Sequence, residues 1–236
     1  VLENAVKRPV GVKGVVAEYR GKLQYNFIEI CLLDPLKYPL ESFLRKSPIP
    51  LEDMLKEFWA LVRGCDEPLR SFLSKVYSGS FLEQFQDAPA ALSYHHAYVH
   101  GLLEHTLAVA RLAMEAGRAY REIDQDLLVA SALLHDIGKV DAYDPVTFAV
   151  TIDGALWGHL YMSASRVERA IETIPGFDPE MKRRLIHAIL AHHGRLEHGS
   201  PVLPMTLEAL LVHHADEMDA NVRGAWEQLQ GEGGEG

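Results

Sequence analysis

The pattern of apolar and polar residues changes along the chain, from a period of two to a period near 3.6. Between Pro9 and about Leu33, the segments VGVKGVVAEY and KLQYNFIEICLL alternate apolar and polar side chains. Such alternation is typical of β-strands, and the Arg20-Gly21 pair between the segments favours a tight turn. The segment therefore predicts a β-hairpin. It needs helices or further strands to pack against, because an isolated hairpin is marginally stable in water.

Helical periodicity begins after a linker with four prolines, at positions 35, 39, 48 and 50. In PLEDMLKEFWALVRG a proline stands at the start and a glycine at the end, which is the asymmetry expected of a helix. Seven helices are predicted: one from residue 51, and six over about 67–86, 92–116, 124–137, 155–174, 179–193 and 205–229. The predicted fold class is mainly α, a helical bundle preceded by a short β-hairpin. The tail GEGGEG, residues 231–236, is expected to be mobile.

Several predicted helices carry a histidine or an aspartate on the apolar face that turns inward. His105 continues the apolar stripe of its helix, and His159 and Asp216 do the same on two later helices. Two more helices end in a polar pair close to a glycine, His135-Asp136 in LLHDIGK and His192-His193 in AHHGR. Five helices therefore each offer at least one metal-ligating side chain.

A single inward histidine is more often a core residue whose ring hydrogen-bonds a backbone carbonyl. Five helices that converge histidines and two carboxylates would, however, bury many polar groups without a common partner. A metal centre supplies that partner. Imidazole and carboxylate ligands without a thiolate suit Mn²⁺, Fe²⁺, Mg²⁺, Co²⁺ or Zn²⁺, and the residues alone do not choose among these ions.

Composition and charge restrict the function classes. The chain has 236 residues, 48% hydrophobic and 24% charged, with a net charge of −10 that disfavours non-specific adhesion to nucleic acid or an anionic membrane. Cys31 and Cys65 have no zinc-site spacing, so a reduced, cytoplasmic setting is expected. No apolar run approaches the roughly 18 residues of a membrane span, and the N-terminus lacks the layout of a signal peptide.

The order His105, His135-Asp136, Asp216 resembles the H…HD…D signature of HD-domain metal-dependent phosphohydrolases, and LLHDIGK is typical of its centre. The segments HHAYVHGLLEHTLAVA, GHLYMS, HHGRLEHGSP and TLEALLVHHADEMDA resemble YhaM-type 3′-5′ exoribonucleases, in which an OB-fold domain precedes the HD domain. The strand segment is similar to the final strands of that OB fold, and the resemblance runs from about Val12 to Ala220.

The resemblance implies three parts of the chain. Residues 1–45 are expected to form a partial OB-like strand segment and linker, 46–230 the helical HD domain, and 231–236 the tail. A five-stranded OB fold cannot be completed from the residues before the linker, so the single-strand-binding platform is expected to be truncated.

The resemblance also implies a site for two divalent metal ions. Asp136 is expected to bridge both ions, and the remaining ligands divide into one set with His105, His135 and Asp216 and a second set with His159, His192 and His193. A metal-activated water would then attack the phosphodiester. Neither cysteine and no serine stands in a nucleophile motif.

Four residues near these ligands are candidates for supporting roles. Lys139 could contact a phosphate oxygen or the leaving group, although a solvated lysine at a helix terminus is an equal alternative. His95 and His96 could bind phosphate or donate a proton, or could be capping or surface residues. Asp219 is a candidate acceptor that orients a ligand histidine.

The favoured function is a metal-dependent phosphodiesterase, and the resemblance implies that it degrades single-stranded RNA or DNA or short oligonucleotides from the 3′ end. One alternative is an HD hydrolase of small nucleotides or cyclic dinucleotides, and another is a non-catalytic HD binding module. Apolar faces of the strand segment and of the helices at 51–88 could support a homo-oligomer, but intrachain packing is the simpler interpretation.

Overall fold

The computed structural model describes residues 8–92 and 96–232. The chain forms two compact units that divide between Arg45 and Lys46. The prediction that the first unit is part of an OB fold stays a prediction.

The N-terminal unit contains the predicted antiparallel hairpin. Strand β1 is Val10–Tyr19 and β2 is Lys22–Leu32, and the pairing runs from Val10 opposite Leu32 to Tyr19 opposite Lys22, with a bulge between Lys13 and Gly14. The turn residues Arg20 and Gly21 have φ angles of 54° and 76°, as the tight hairpin turn requires. The prediction of a hairpin is confirmed, and many of its apolar side chains are exposed.

The second unit is helical. Its helices within the described residues are α1 (Leu51–Gly64), α2 (Leu69–Val76), α3 (Ser80–Asp87), α4 (Gly101–Gly117), α5 (Gln125–Leu134), α6 (Lys139–Ala142), α7 (Ile152–Trp157), α8 (His159–Glu172), α9 (Pro179–Ala191) and α10 (Leu207–Glu232). None of the described helices is long and apolar enough to cross a membrane.

Several predicted helices are shorter than expected because glycines interrupt them. Gly79 (φ 59°) separates α2 from α3, and Gly158 (φ 74°) separates α7 from α8. Helical periodicity continues across both residues, but positive φ values end a right-handed helix. The predicted helix at 92–116 begins only at Gly101, and the one at 124–137 ends at Leu134.

An aromatic cluster in the core supports the helix that precedes the His-Asp pair. Phe58, Phe85 and Tyr77 are almost completely buried, and the ring centroids of Phe58 and Tyr77 are 4.7 Å apart. The Tyr77 hydroxyl donates a hydrogen bond to the carbonyl of Leu133, close to the end of α5. This contact fixes the end of the helix from which the site residues emerge. Helix α4 packs against α5 and α10, and α9 packs against α5, α8 and α10.

Candidate metal centre

The first group of candidate ligands joins α4, the turn after α5, and α10. His105 Nε2 lies 3.1 Å from Asp216 Oδ1 and 3.5 Å from Asp136 Oδ2. His135 Nε2 lies 3.2 Å from the same Asp136 oxygen. One ligand atom from each of these four residues lies within 4.8 Å of the others, so a single ion could contact all four.

The second group joins the start of α8 and the end of α9. His159 Nε2 is 3.2 Å from His193 Nε2, and His192 belongs to the same cluster. His159 Nε2 and His192 Nε2 are each 3.4 Å from Asp136 Oδ1. Asp136 therefore directs one carboxylate oxygen to each group.

Hydrogen bonds to backbone carbonyls fix the tautomers of three ligand histidines. The Nδ1 atoms of His135, His192 and His193 lie 2.7 Å, 2.6 Å and 2.9 Å from the carbonyl oxygens of Ala132, Ile189 and His198, respectively. A carbonyl oxygen only accepts, so each Nδ1 carries the hydrogen and a neutral ring keeps its lone pair on Nε2. Nε2 is the atom that each ring turns toward the centre.

The polar atoms of the centre have too few partners without a cation. Both carboxylate oxygens of Asp136 and Nε2 of His192 are buried and make no hydrogen bond of good geometry among the described residues, and the ion pair with Lys139 reaches only Oδ2 of Asp136. Nε2 of His105 and Nε2 of His135 are 3.3 Å apart. Buried polar atoms without partners are costly, and divalent ions coordinated by imidazole and carboxylate would satisfy them. The residues therefore fit a metal site.

Buried charges hold the carboxylates ionised. Burial alone would raise the pKa of Asp136, but neighbouring positive charge, above all the Lys139 ammonium, outweighs burial and holds that pKa well below its usual value. The Lys139 ammonium lies 2.6 Å from Asp136 Oδ2 and is itself nearly buried. Burial and the neighbouring His192 lower the pKa of His193 to about 4, so this candidate ligand is neutral at pH 7.

Two glycines allow the backbone segments that carry the ligands to approach closely. A Cβ at Gly138 would lie 2.5 Å from both the carbonyl oxygen of His159 and the amide nitrogen of Ser163, whose hydroxyl accepts a hydrogen bond from Gly138 N–H at 2.8 Å. Gly194 has φ 73°, and a Cβ there would collide with the ring of His213. Glycine is required at both positions by packing, and at Gly194 also by backbone conformation.

Comparisons with known proteins agree with this geometry. A family model described as HD domain matches residues 102–221. The 3′-5′ exoribonuclease YhaM of Bacillus pumilus (strain SAFR-032) is 32% identical over 220 residues, which cover 92% of this chain and 70% of that protein. The YhaM exoribonuclease of Bacillus subtilis (strain 168) is 33% identical over 215 residues, 90% of this chain and 68% of that protein. No solved structure matches the chain significantly.

The chain belongs to the HD-domain family. The match to the YhaM proteins covers about nine tenths of the chain, so it extends beyond the helical unit into the N-terminal unit. As an HD-domain phosphohydrolase, the protein is a metal-dependent hydrolytic enzyme. The predicted family resemblance is confirmed.

The HD-domain structure places the candidates for supporting roles on two sides of the ligand groups. Lys139 contacts Asp136 and lines the cavity at the centre. His96 is completely buried behind His105: its Nε2 lies 3.0 Å from Asp219 Oδ2, and that oxygen also lies 2.7 Å from Nδ1 of His105. The structure thus brings His96 and Asp219 to the rear of the ligand rather than to the cavity. His95 lies outside the described residues.

The HD-domain cavity also includes three residues that sequence reasoning did not assign. The cavity has a volume of about 270 Å³. Four of its lining residues are Lys139, His192, His193 and Asp216, and the others are Ala220, His198, His213 and Glu217. His213 follows the same inward stripe as Asp216, so helical periodicity could have indicated it. Glu217 and His198 gave no such signal, because neither continues an apolar stripe.

Proposed function

We propose that this protein is a 3′-5′ exonuclease that releases nucleoside monophosphates from single-stranded RNA or short oligonucleotides. The observation that carries the proposal is the position of Asp136, which directs Oδ2 to the group with His105 and Oδ1 to the group with His159. A carboxylate shared in this way suits two divalent ions. The names of the YhaM relatives support 3′-5′ exoribonuclease activity.

The two ligand sets divide between the two carboxylate oxygens. Oδ2 of Asp136 serves the set with His105, His135 and Asp216, and Oδ1 serves the set with His159, His192 and His193. Two divalent cations held there would neutralise charge on a phosphodiester and activate water for in-line attack. The ligand set suits Mn²⁺, Fe²⁺, Co²⁺, Mg²⁺ or Zn²⁺.

Lys139 has two tasks in this scheme. It keeps Asp136 ionised, because its ammonium lies 2.6 Å from Oδ2, and it presents a positive charge to the cavity. Burial alone would lower the pKa of Lys139, but Asp136 outweighs burial and raises it. Lys139 therefore stays charged and attracts a phosphate oxygen rather than acting as a base.

His96 and Asp219 act as positioning residues. Asp219 accepts a hydrogen bond from Nδ1 of His105, which turns Nε2 of that ring toward Asp136 and Asp216. His96 holds Asp219 from the other side, and its Nδ1 lies 2.9 Å from the Tyr98 hydroxyl. Tyr98 in turn donates to Glu104, which also pairs with Arg223 at 2.6 Å.

An exposed aromatic pair beside the second ligand group supports a single-stranded substrate. Trp157 and Tyr161 flank His159 in the chain, each is 56% exposed, and their ring centroids are 6.4 Å apart. Proteins that bind single strands stack bases on exposed aromatic rings. These rings would hold nucleotides close to the centre without reading their sequence.

An end-labelled oligoribonucleotide incubated with the protein and Mn²⁺ tests the proposal. We expect mononucleotides to accumulate from the 3′ end, and Asp136→Asn to reduce cleavage to background while circular dichroism stays unchanged. The exposed Asp53→Asn is the matched control and should keep full activity. If the wild type degrades only a panel of mononucleotides or cyclic dinucleotides, or if Asp136→Asn remains active, the proposal is wrong. Elemental analysis of the active protein identifies the ions and their number.

A cytoplasmic location and assembly into a homo-oligomer stay predictions from the sequence. Size-exclusion chromatography with light scattering measures the oligomeric state directly.

A further inference from the structure

The cavity at the centre has one wall that none of the roles above uses. It is formed by His213 and Glu217, which lie four residues apart on the same face of α10 and line the cavity next to Asp216. We call this pair the acceptor wall. The other groups that face the cavity are the cation Lys139, three histidines and the carboxylate of Asp216.

His213 is fixed so that it can accept a hydrogen bond. Its Nδ1 lies 2.9 Å from the carbonyl oxygen of His192 and must donate to it, so a neutral ring carries its lone pair on Nε2. The ring packs directly against Gly194, where no Cβ could be accommodated. Among the described residues we find no hydrogen-bond partner for Nε2, and the side chain is only 8% exposed.

Glu217 is an unusual residue for a site that takes phosphodiesters. It is half-buried and forms no ion pair with any described residue, yet it lines the same cavity as the metal ligands. A carboxylate there repels a phosphate group and accepts hydrogen bonds from donors. The part of the substrate that meets Glu217 must therefore be uncharged and must donate hydrogen bonds.

We propose that the acceptor wall binds the 2′- and 3′-hydroxyls of the substrate's 3′-terminal ribose. This inference rests on the proposed function, in which the scissile phosphate of that nucleotide lies at the ligand groups. One ring nitrogen of His213 lies within 4.8 Å of one carboxylate oxygen of Glu217, so neighbouring hydroxyls of one ribose can reach both side chains. The wall thus favours a ribonucleotide end with a free 3′-hydroxyl and rejects a 3′-phosphate.

Three oligonucleotides that differ only at the 3′-terminal nucleotide test the proposal: one ends in a ribonucleotide, one in a 2′-deoxynucleotide and one in a 3′-phosphate. For the wild type we expect kcat/KM to fall about tenfold for the 2′-deoxy end, since a hydrogen bond to a charged acceptor is lost. Cleavage of the 3′-phosphate end should fall further because Glu217 repels it.

Comparing Glu217→Gln with a charge-removing variant elsewhere distinguishes a specific role of the acceptor wall from an effect of the protein's overall charge. Glu217→Gln should reduce the preference for the ribonucleotide end and should raise cleavage of the 3′-phosphate end severalfold. Glu172→Gln removes the same charge from an exposed position on α8 and is the matched control. It should preserve both wild-type preferences.

His213→Phe keeps an aromatic ring, although a larger one, and removes both nitrogens. It should reduce the ribonucleotide preference, and its metal content, measured by elemental analysis, should remain that of the wild type. The proposal is overturned if the wild type degrades all three ends equally, or if Glu217→Gln behaves like Glu172→Gln. It is also overturned if Glu217→Gln loses one equivalent of metal, since His213, His214 and Glu217 would then hold a further ion. A wild type that degrades no oligonucleotide contradicts the proposed function instead.

Discussion

The orientation of the candidate ligand histidines depends on hydrogen bonds at the far side of their rings. His135 and His192 donate to carbonyls three residues earlier, so their orientation is set within one helical turn. His105 instead depends on Asp219, which is 114 residues away in sequence. A helix-end histidine can therefore be identified from its local pattern. The sequence indicated Asp219 as an acceptor for a ligand histidine, but only the packing of α4 against α10 shows that this histidine is His105.

Asp219→Asn should weaken the metal site through His105. An amide can turn its NH₂ group toward His105, which removes the acceptor that keeps the hydrogen on Nδ1. We expect metal affinity or activity to fall by about 10- to 100-fold, the usual cost of losing such a partner. Metal titration followed by calorimetry measures the affinity, and Asp219→Glu should recover part of it. An unchanged affinity in Asp219→Asn would contradict the positioning role.

At the scale of elements, the interruptions between helices place the site residues. The predicted helix 155–174 is divided by Gly158, so Trp157 ends α7 and His159 begins α8. The periodic pattern could not show this break, because both segments are helical and only one residue separates them. The break directs His159 to the centre while α7 keeps no side chain buried.

Gly194→Ala tests the close approach of two elements. The substitution places a side chain at φ 73° and against His213, so the cost is the strain of the left-handed conformation, about 1–2 kcal/mol, plus displacement of the ring. Gly176→Ala has nearly the same φ, 72°, but meets no atom within 4 Å, and is the control. Urea unfolding should show the larger loss for Gly194→Ala. Equal losses would show that the contact with His213 contributes nothing.

Trp157→Ala tests the aromatic pair beside His159. Loss of one stacked base costs about 1–3 kcal/mol, so we expect KM for an oligoribonucleotide to rise by about fivefold or more while kcat changes little. Trp226→Ala is the control, because Trp226 is similarly exposed, at 53%, but lies ten residues beyond Asp216 on α10. Steady-state kinetics measure KM and kcat for both variants and show whether only Trp157→Ala raises KM. A KM equal to the wild-type value would exclude stacking on this ring.

At the scale of the whole molecule, the centre joins helices that are distant in sequence. Ligands from α4, α8 and α10 and from the ends of α5 and α9 meet at Asp136, and few polar partners other than an ion are available to them. Metal binding should therefore contribute to the stability of the helical unit, because ions that bind only the folded state stabilise it by mass action.

Chelation should lower the thermal unfolding temperature of the protein. An ion present at 100 times its Kd stabilises the folded state by about 2.7 kcal/mol, and this contribution disappears in excess EDTA. Differential scanning calorimetry with and without EDTA, followed by re-addition of Mn²⁺, measures the effect. Asp136→Asn should show a much smaller shift. An unfolding temperature that does not respond to EDTA would indicate that the centre holds no exchangeable ion.

The amino-acid pattern was sufficient to predict the hairpin, the helical class and the set of inward-facing histidines and aspartates. These features depend on periodicity and on contacts within a turn, such as Arg20-Gly21 in the hairpin and His135 at the end of α5. Helix packing was needed to show that Asp136 faces two groups of candidate ligands, that His96 lies behind His105, and that Glu217 lines the cavity. Those positions depend on how helices far apart in the chain pack together, and the one-dimensional pattern does not contain that packing.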